Sequence, residues 1–400
     1  MICCREHEKT NYDAPGRSCA RLDACLNDLT EMYGGETVNK RFSSILGCLM
    51  GGAVGDALGT PVEFLRWNEI KGRYGNEGIQ YPETDFQQGL TLVSDDTQMT
   101  LFTANGLLMY DTRRALAEEA SPEACIYAAY RDWYHCQCSA GIPRDNHSWL
   151  SDLQEMHARR APGNTCLSAL GNAEPGSVES PINNSKGCGG IMRVAPIALW
   201  ADGRFPIEEA DRLGAEAAAL THGHPLGYMP AAALVDVIGR LLAGTTDMYA
   251  AVADCRDAMK AIYPDDPYLG ELLRIMDQAV ALSGNGAGDV ENINAIGEGW
   301  TGEEALGIAL YSSLKYQDDF SKAVIVAVNH SGDSDSTGAI AGNIVGARLG
   351  CEAIDDRWLR NLEMKDAIHE ISKDLCEGCP VDADGAITDE AWIRKYNAWR

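Results

Sequence analysis

The sequence predicts an all-α protein whose main body is one large multi-helix domain. Three observations carry that expectation. From Phe42 onward, apolar residues recur at helical spacing in segment after segment, each broken by Gly, Pro or Asn. Alternating patterns flanked by hairpin dipeptides are scarce, and no strand–crossover–strand period repeats. Two segments also carry glycine at every fourth residue: Gly47, Gly51, Gly55 and Gly59 in one, Gly338, Gly342, Gly346 and Gly350 in the other.

In chain order, residues 1–41 read as an N-terminal extension. They are polar, rich in Cys, Arg and Asp, and interrupted by Pro15-Gly16, with one amphipathic stretch from Leu22 to Met32 that predicts a helix. Residues 42–352 form the main domain. Its spacing predicts helices over Ile45–Leu58, Thr97–Tyr110, Pro122–Tyr134, Ile207–Leu220, Met229–Leu242, Met248–Ile262, Glu303–Lys315 and Phe320–Asn329. Residues 353–400 add a helical extension packed on that body, with helices predicted at Leu362–Leu375 and Ala391–Arg400. Glycine inside a helix costs about 0.5–1 kcal/mol relative to alanine, so each stripe opposes helix propensity and needs a packing reason. Spacing of four residues puts each stripe on one face, where missing side chains let another backbone approach closely. Two central helices packed against each other follow from this.

Composition excludes several function classes. The net charge of −26 and the lack of any Lys/Arg-rich run argue against free nucleic acid as a partner. No uninterrupted apolar run reaches the roughly 18–20 residues of a membrane span, so no membrane partner is expected. The N-terminus lacks the apolar stretch of a signal peptide, which places the 14 cysteines, as reduced thiols, in the cytoplasm. Cys376-x-x-Cys379 is half a zinc pattern, but its nearest companion is Cys136-x-Cys138, so inert thiols are the better reading.

Two acid–hydroxyl clusters stand out, Ser94-Asp95-Asp96 and Asp333-Ser334-Asp335-Ser336, each directly before an apolar helical segment. Each can act as a helix cap, because one acid or hydroxyl satisfies the free N–H groups there. Adjacent carboxylates repel unless a cation holds them, so hard oxygen ligands aimed from two helix starts also suit Mg²⁺ or Mn²⁺. The second cluster begins like an EF-hand loop but has Ile344 where a bidentate Glu is required, which excludes that reading. Glu63 follows the first glycine segment, and taken alone it is a surface carboxylate. The turn Gly187-Cys188-Gly189-Gly190-Ile191-Met192 exposes N–H groups suited to phosphate oxygens, though it matches neither common nucleotide loop. His222 and His224 sit two residues apart in a loop, which favours polar contact or capping over metal ligation.

Read in this order, these segments resemble the ADP-ribosylglycohydrolase family. The resemblance rests on Gly47 to Gly59, Glu63, Ser94 to Met99, Arg160 to Thr165, Gly189 to Pro196, Thr221 to Pro225, Gly299 to Leu306 and Asn329 to Ser336, within roughly Phe42 to Gly350. It implies the all-α fold of that family and a binuclear centre of two Mg²⁺ or Mn²⁺ ions. The implied ligands are Ser94, Asp95, Asp96, Asp333, Asp335 and Ser336, with Ser94 keeping the hydroxyl of the threonine that many members carry. Glu63 takes the place of a carboxylate near the metals and ribose. Glu63, Asp95 and Asp96 are the candidates for proton transfer. The turn Gly187, Cys188, Gly189, Gly190, Ile191 and Met192 corresponds to a diphosphate cradle, and His222 and Trp300 to further ligand contacts.

The activity implied is hydrolysis of the bond between ADP-ribose and a modified acceptor on a protein, arginine first, with serine, guanine or small-molecule conjugates open. Some relatives instead block an ADP-ribosylating toxin as immunity proteins, and residues 1–41 are where such a plug would lie.

Overall fold

The computed structural model describes residues 36–138, 146–172, 174–381 and 389–397. Their seventeen α-helices are α1 (Glu36–Gly59), α2 (Trp67–Tyr74), α3 (Asp95–Ala115), α4 (Pro122–Gln137), α5 (Asn164–Leu170), α6 (Ala195–Ala201), α7 (Ile207–Ala219), α8 (Pro225–Leu242) and α9 (Met248–Ile262). They continue as α10 (Leu269–Ser283), α11 (Asp289–Ile296), α12 (Gly302–Lys315), α13 (Phe320–Val328), α14 (Ser334–Leu349), α15 (Asp356–Leu359), α16 (Lys365–Glu377) and α17 (Glu390–Tyr396). Among the described residues there is no β-strand, only two isolated bridges, Thr91–Leu362 and Gly187–Thr301. The all-α expectation holds. The chain divides after Asn39, and of residues 1–39 only the first turn of α1 is described. The amphipathic stretch Leu22–Met32, and with it any plug formed by the extension, lies outside the described residues.

The body, Lys40 onward, is centred on α1 and α14, which run antiparallel with their glycine stripes interlocked. A Cβ added at Gly47, Gly51 or Gly55 would fall 2.5, 2.4 or 1.9 Å from the carbonyl oxygens of Gly346, Gly342 and Gly338. Reciprocally, one added at Gly338, Gly342 or Gly346 would meet the carbonyls of Gly55, Gly51 and Gly47 at 2.4, 2.0 and 2.0 Å. Backbone thus touches backbone along three turns, which is why glycine persists there despite its helix propensity. Asn343 clasps the pair, its Nδ2 donating to Cys48 O at 2.8 Å. The antiparallel register sets the end of α1 beside the start of α14: a Cβ at Gly59 would be 2.3 Å from Ser334 O.

The other helices wrap this pair. α14 packs on α8, α12 and α13, α7 on α8, and α3 on α4 and α6. The C-terminal helices α16 and α17 lie on α3, where Trp392 Nε1 donates to Thr112 Oγ1 at 2.9 Å. Two helical stretches, Lys40–Gly59 and Pro225–Leu242, are long and apolar enough to cross a membrane by length and composition, although neither is an uninterrupted apolar run. Most of each is buried against neighbouring helices, so their apolar character is accounted for by the core.

Candidate metal centre

Both acid clusters are helix caps, and both lie at one place. Ser94 caps α3, its Oγ accepting from Asp96 N at 3.2 Å, and Asp333 caps α14, its Oδ1 accepting from Ser336 N at 3.3 Å. Cap and site are therefore compatible roles for the same residues. Gly332, at φ 155°, lets the chain pass so close to Glu298 that Asp333 N donates to Glu298 O at 2.9 Å, which fixes the entry to α14. Asp95 and Asp96 occupy the first turn of α3 and Asp335 that of α14, so both helix dipoles point positive ends at the acids.

None of Ser94, Asp95, Asp96, Asp333, Asp335 and Ser336 is more than 5% exposed. Across the gap, Asp96 comes within hydrogen-bonding reach of Ser336, and Glu63 of Asp335. Burial pushes the Asp95 carboxyl up to about 8, with the charges of Asp56 and Asp333 adding to the rise. Burial likewise lifts Glu63 to about 8, helped by Asp333 and Asp95. Asp96 and Asp335 are held well above the usual carboxylate range by burial and then by neighbouring acids, and burial raises Asp333 as well. The charges acting on this group are all acidic, Asp56 foremost on Asp95 and Asp96, and Asp96 Oδ1 is buried without a hydrogen-bond partner. Buried carboxylates that repel one another and leave an oxygen orphaned fit a hard divalent cation. Among the described residues no three acidic, imidazole or thiol side chains are arranged as a cage for a metal ion.

The remaining predicted residues border the same place. Cys188–Gly190 forms a short 3₁₀ turn, anchored by Cys188 N donating to Trp300 O at 3.2 Å and by the Gly187–Thr301 bridge. Ile191 and Met192 follow it and are buried. The Cys188 thiol donates to Asp333 Oδ2 at 2.7 Å, which ties the turn directly to the second cluster. His222 lies beneath the turn: a Cβ on Gly189 would stand 3.3 Å from His222 Nε2. Arg193 Nη2 donates to Thr221 Oγ1 at 2.7 Å, and that hydroxyl bonds His222 Nδ1 at 2.8 Å. When the hydroxyl donates to Nδ1, the ring carries its proton on Nε2, facing the turn; when it donates to Ala218 O, Nδ1 is free to carry the proton instead. Burial, then the Arg193 charge, lowers the imidazole to about 3, so the ring is neutral. Trp300 stacks on Phe64, ring centroids 5.4 Å apart, next to Glu63.

The chain belongs to the ADP-ribosylglycohydrolase family. The sequence model of that family, described as ADP-ribosylglycohydrolase, matches residues 37–384. The match runs past residue 352, so α15 and α16 fall within the family region. The ADP-ribosyl-[dinitrogen reductase] glycohydrolase of Rhodospirillum rubrum is 26% identical over 80% of this chain and 90% of its own length. The mouse ADP-ribosylhydrolase ARH3 is 23% identical over 81% of this chain and 88% of its own. A solved ADP-ribosylglycohydrolase-related protein complex shares the fold, with a TM-score of 0.58 at 24% identity, covering 84% of this chain and 98% of that one. Membership makes the protein a hydrolase of the ADP-ribosyl glycosidic bond.

Sequence reasoning passed over three members of this ADP-ribosylglycohydrolase site. Phe64 is 66% exposed at a positive φ of 64°, holding its ring over Trp300. Gly163 N donates to Asp95 Oδ2 at 3.2 Å, from the loop of the Arg160–Thr165 match. Asp56 lies wholly buried behind the first cluster. Its signal was legible: it is an acid beside Gly55, on a helix buried on every side.

Proposed function

We propose that this protein releases ADP-ribose from arginine side chains of modified proteins, using two divalent cations, Mg²⁺ or Mn²⁺, held by Ser94, Asp95, Asp96, Asp333, Asp335 and Ser336. The observation that carries the metal reading is the convergence of two remote, mutually repelling acid clusters at the starts of α3 and α14. Bound cations in such a centre orient ribose hydroxyls and lower the pKa of water. Arginine as the acceptor fits a site bordered by the Glu63 carboxylate, since a guanidinium is a cation. The Rhodospirillum rubrum relative, named for a protein substrate, supports a protein-linked acceptor.

The residues divide the work by position. The N–H groups of Gly189 and Gly190 in the turn and the neutral His222 ring can hold diphosphate oxygens without a counter-charge. The Phe64–Trp300 pair gives an aromatic wall beside the acceptor. As the C1″–N bond breaks, positive charge grows on the ribose, and the nearby carboxylates stabilise it. As that bond breaks, water oxygen bonds to C1″, its proton passes to one carboxylate of Glu63, Asp95 and Asp96, and a proton from these acids passes to the departing guanidine nitrogen, so the acids end as they began.

The test is direct. Incubate the protein with Mg²⁺ and separately with ADP-ribosylated arginine, serine and guanine, and measure free ADP-ribose. Arginine should turn over fastest, and Asp95→Asn and Asp335→Asn, with helical content intact, should abolish release. Full activity in either variant would refute the assignment, and faster release from serine or guanine would refute the acceptor.

A further inference from the structure

Asp56 is the most heavily hydrogen-bonded carboxylate near the centre, yet it presents nothing to a substrate. Ser94 N donates to both its oxygens at 3.0 Å, and Thr97 N donates to Oδ2 at 3.1 Å. Thr97 Oγ1 donates to the same Oδ2, and Thr60 Oγ1 donates to Oδ1 at 3.2 Å. These donors include the N–H groups on either side of Asp95-Asp96, so the whole turn hangs from one carboxylate. Asp56 itself is fixed, because Gly55 immediately before it is locked against Gly338 of α14. A single rigid helix therefore sets the second cluster through its glycine face and the first through Asp56.

We propose that Asp56 is a positioning residue that holds Ser94, Asp95 and Asp96 in register with Asp333, Asp335 and Ser336, and so sets the protein's affinity for its divalent cation. This inference rests on the metal reading above. An unpartnered oxygen on Asp96, directed by that same turn, is the second observation pointing to a ligand there. Outer-shell partners of this kind typically change metal affinity by about 10–100-fold when removed. A merely structural role would lower thermal stability and leave cation affinity alone.

The experiment follows the loss of free Mn²⁺ by electron paramagnetic resonance on the full chain, wild type and Asp56→Asn, with circular dichroism to confirm folding. The expected result is a dissociation constant raised at least about tenfold in the variant. Asn retains the size of Asp but turns an N–H donor toward the donors of the turn. A folded Asp56→Asn protein that binds Mn²⁺ within twofold of wild type overturns the proposal. If that variant does not fold, Thr97→Val and Thr97→Ser decide. Valine, lacking the hydroxyl on Asp56, should weaken binding severalfold while serine keeps it; equal binding by the two overturns the proposal. A wild-type protein that binds no Mn²⁺ overturns the metal reading itself, and this inference with it, before any variant is compared.

Discussion

Gly55→Ala tests whether the glycine contact between α1 and α14 builds the site. The new Cβ would lie 1.9 Å from Gly338 O and 2.3 Å from Gly338 C, and both neighbours are backbone that no rotamer change can move. Restoring an ordinary contact of 3.4 Å or more to that oxygen separates the helices locally by about 1.5 Å. Overpacking of this kind costs about 1–3 kcal/mol or more, against at most about 1 kcal/mol regained from helix propensity. At this chain length the net loss lowers Tm by about 1–2 °C per kcal/mol. Activity should fall further than stability, because the displacement lies one turn from Gly59 and moves Asp333–Ser336 away from Ser94–Asp96. A misplacement of about 1 Å can cost about 100-fold in rate. The assay pairs a thermal melt with ADP-ribose release, using Gly72→Ala as the control. Gly72 sits in α2 with nothing near its Cβ position, so alanine there should leave both readings unchanged or slightly raise Tm. A Gly55→Ala protein with wild-type melting and turnover would refute the argument that backbone contact sets the site.

Two further predictions concern charge. Apo protein should lose stability as pH rises through about 8, because burial and acid repulsion raise the folded-state values of Asp95 and Glu63 above their unfolded ones. Mg²⁺ at about 100 times its dissociation constant should add about 2.7 kcal/mol, with a larger Tm rise at pH 8 than at pH 6; equal melting with Mg²⁺ and with chelator at both pH values would contradict this. The second concerns Asp211, whose carboxyl oxygens are buried without partners and which burial, then repulsion from Asp236, pushes up to about 9. Its favourable contribution is full below about pH 4 and drains away as pH rises toward 9, so Asp211→Asn should gain on wild type by about 1–3 kcal/mol between pH 5 and pH 8. Denaturant melts at the two pH values measure it, and a pH-independent difference would count against it.

What could be read from the sequence was what depends on local spacing. Helical periodicity marked most helices of the body, and the glycine stripes revealed their packing because a four-residue repeat puts every glycine on one helix face, bare of side chains. The direction and register were not readable: only the structure shows Gly47, Gly51 and Gly55 facing Gly346, Gly342 and Gly338 in descending order, an antiparallel pairing that a four-residue repeat alone does not select. The contacts that finish the site were not legible, since each joins remote residues through one atom pair. Nothing near Cys188 announces Asp333, 145 residues away, and nothing near Gly163 announces Asp95. Phe64 was hidden for another reason: its exposure depends on a left-handed backbone that phenylalanine rarely adopts and that no spacing rule anticipates.

The acids account for the need for so much glycine. Asp56, Asp95, Asp96, Asp333, Asp335 and Glu63 raise one another's proton affinity, so without a cation this end of the body pushes itself apart. Ordinary side-chain packing between α1 and α14 would leave helices about 8–10 Å apart and able to slide as side chains change rotamer. Backbone seated on backbone has no rotamers to change. Any sliding along the stripe drives a carbonyl into the next glycine's neighbour, so separation and register are fixed together. A joint of that stiffness keeps the two acid clusters opposed when no cation is bound. The work of holding the acids together is then done during folding, and a cation that binds collects the relief of their repulsion as affinity.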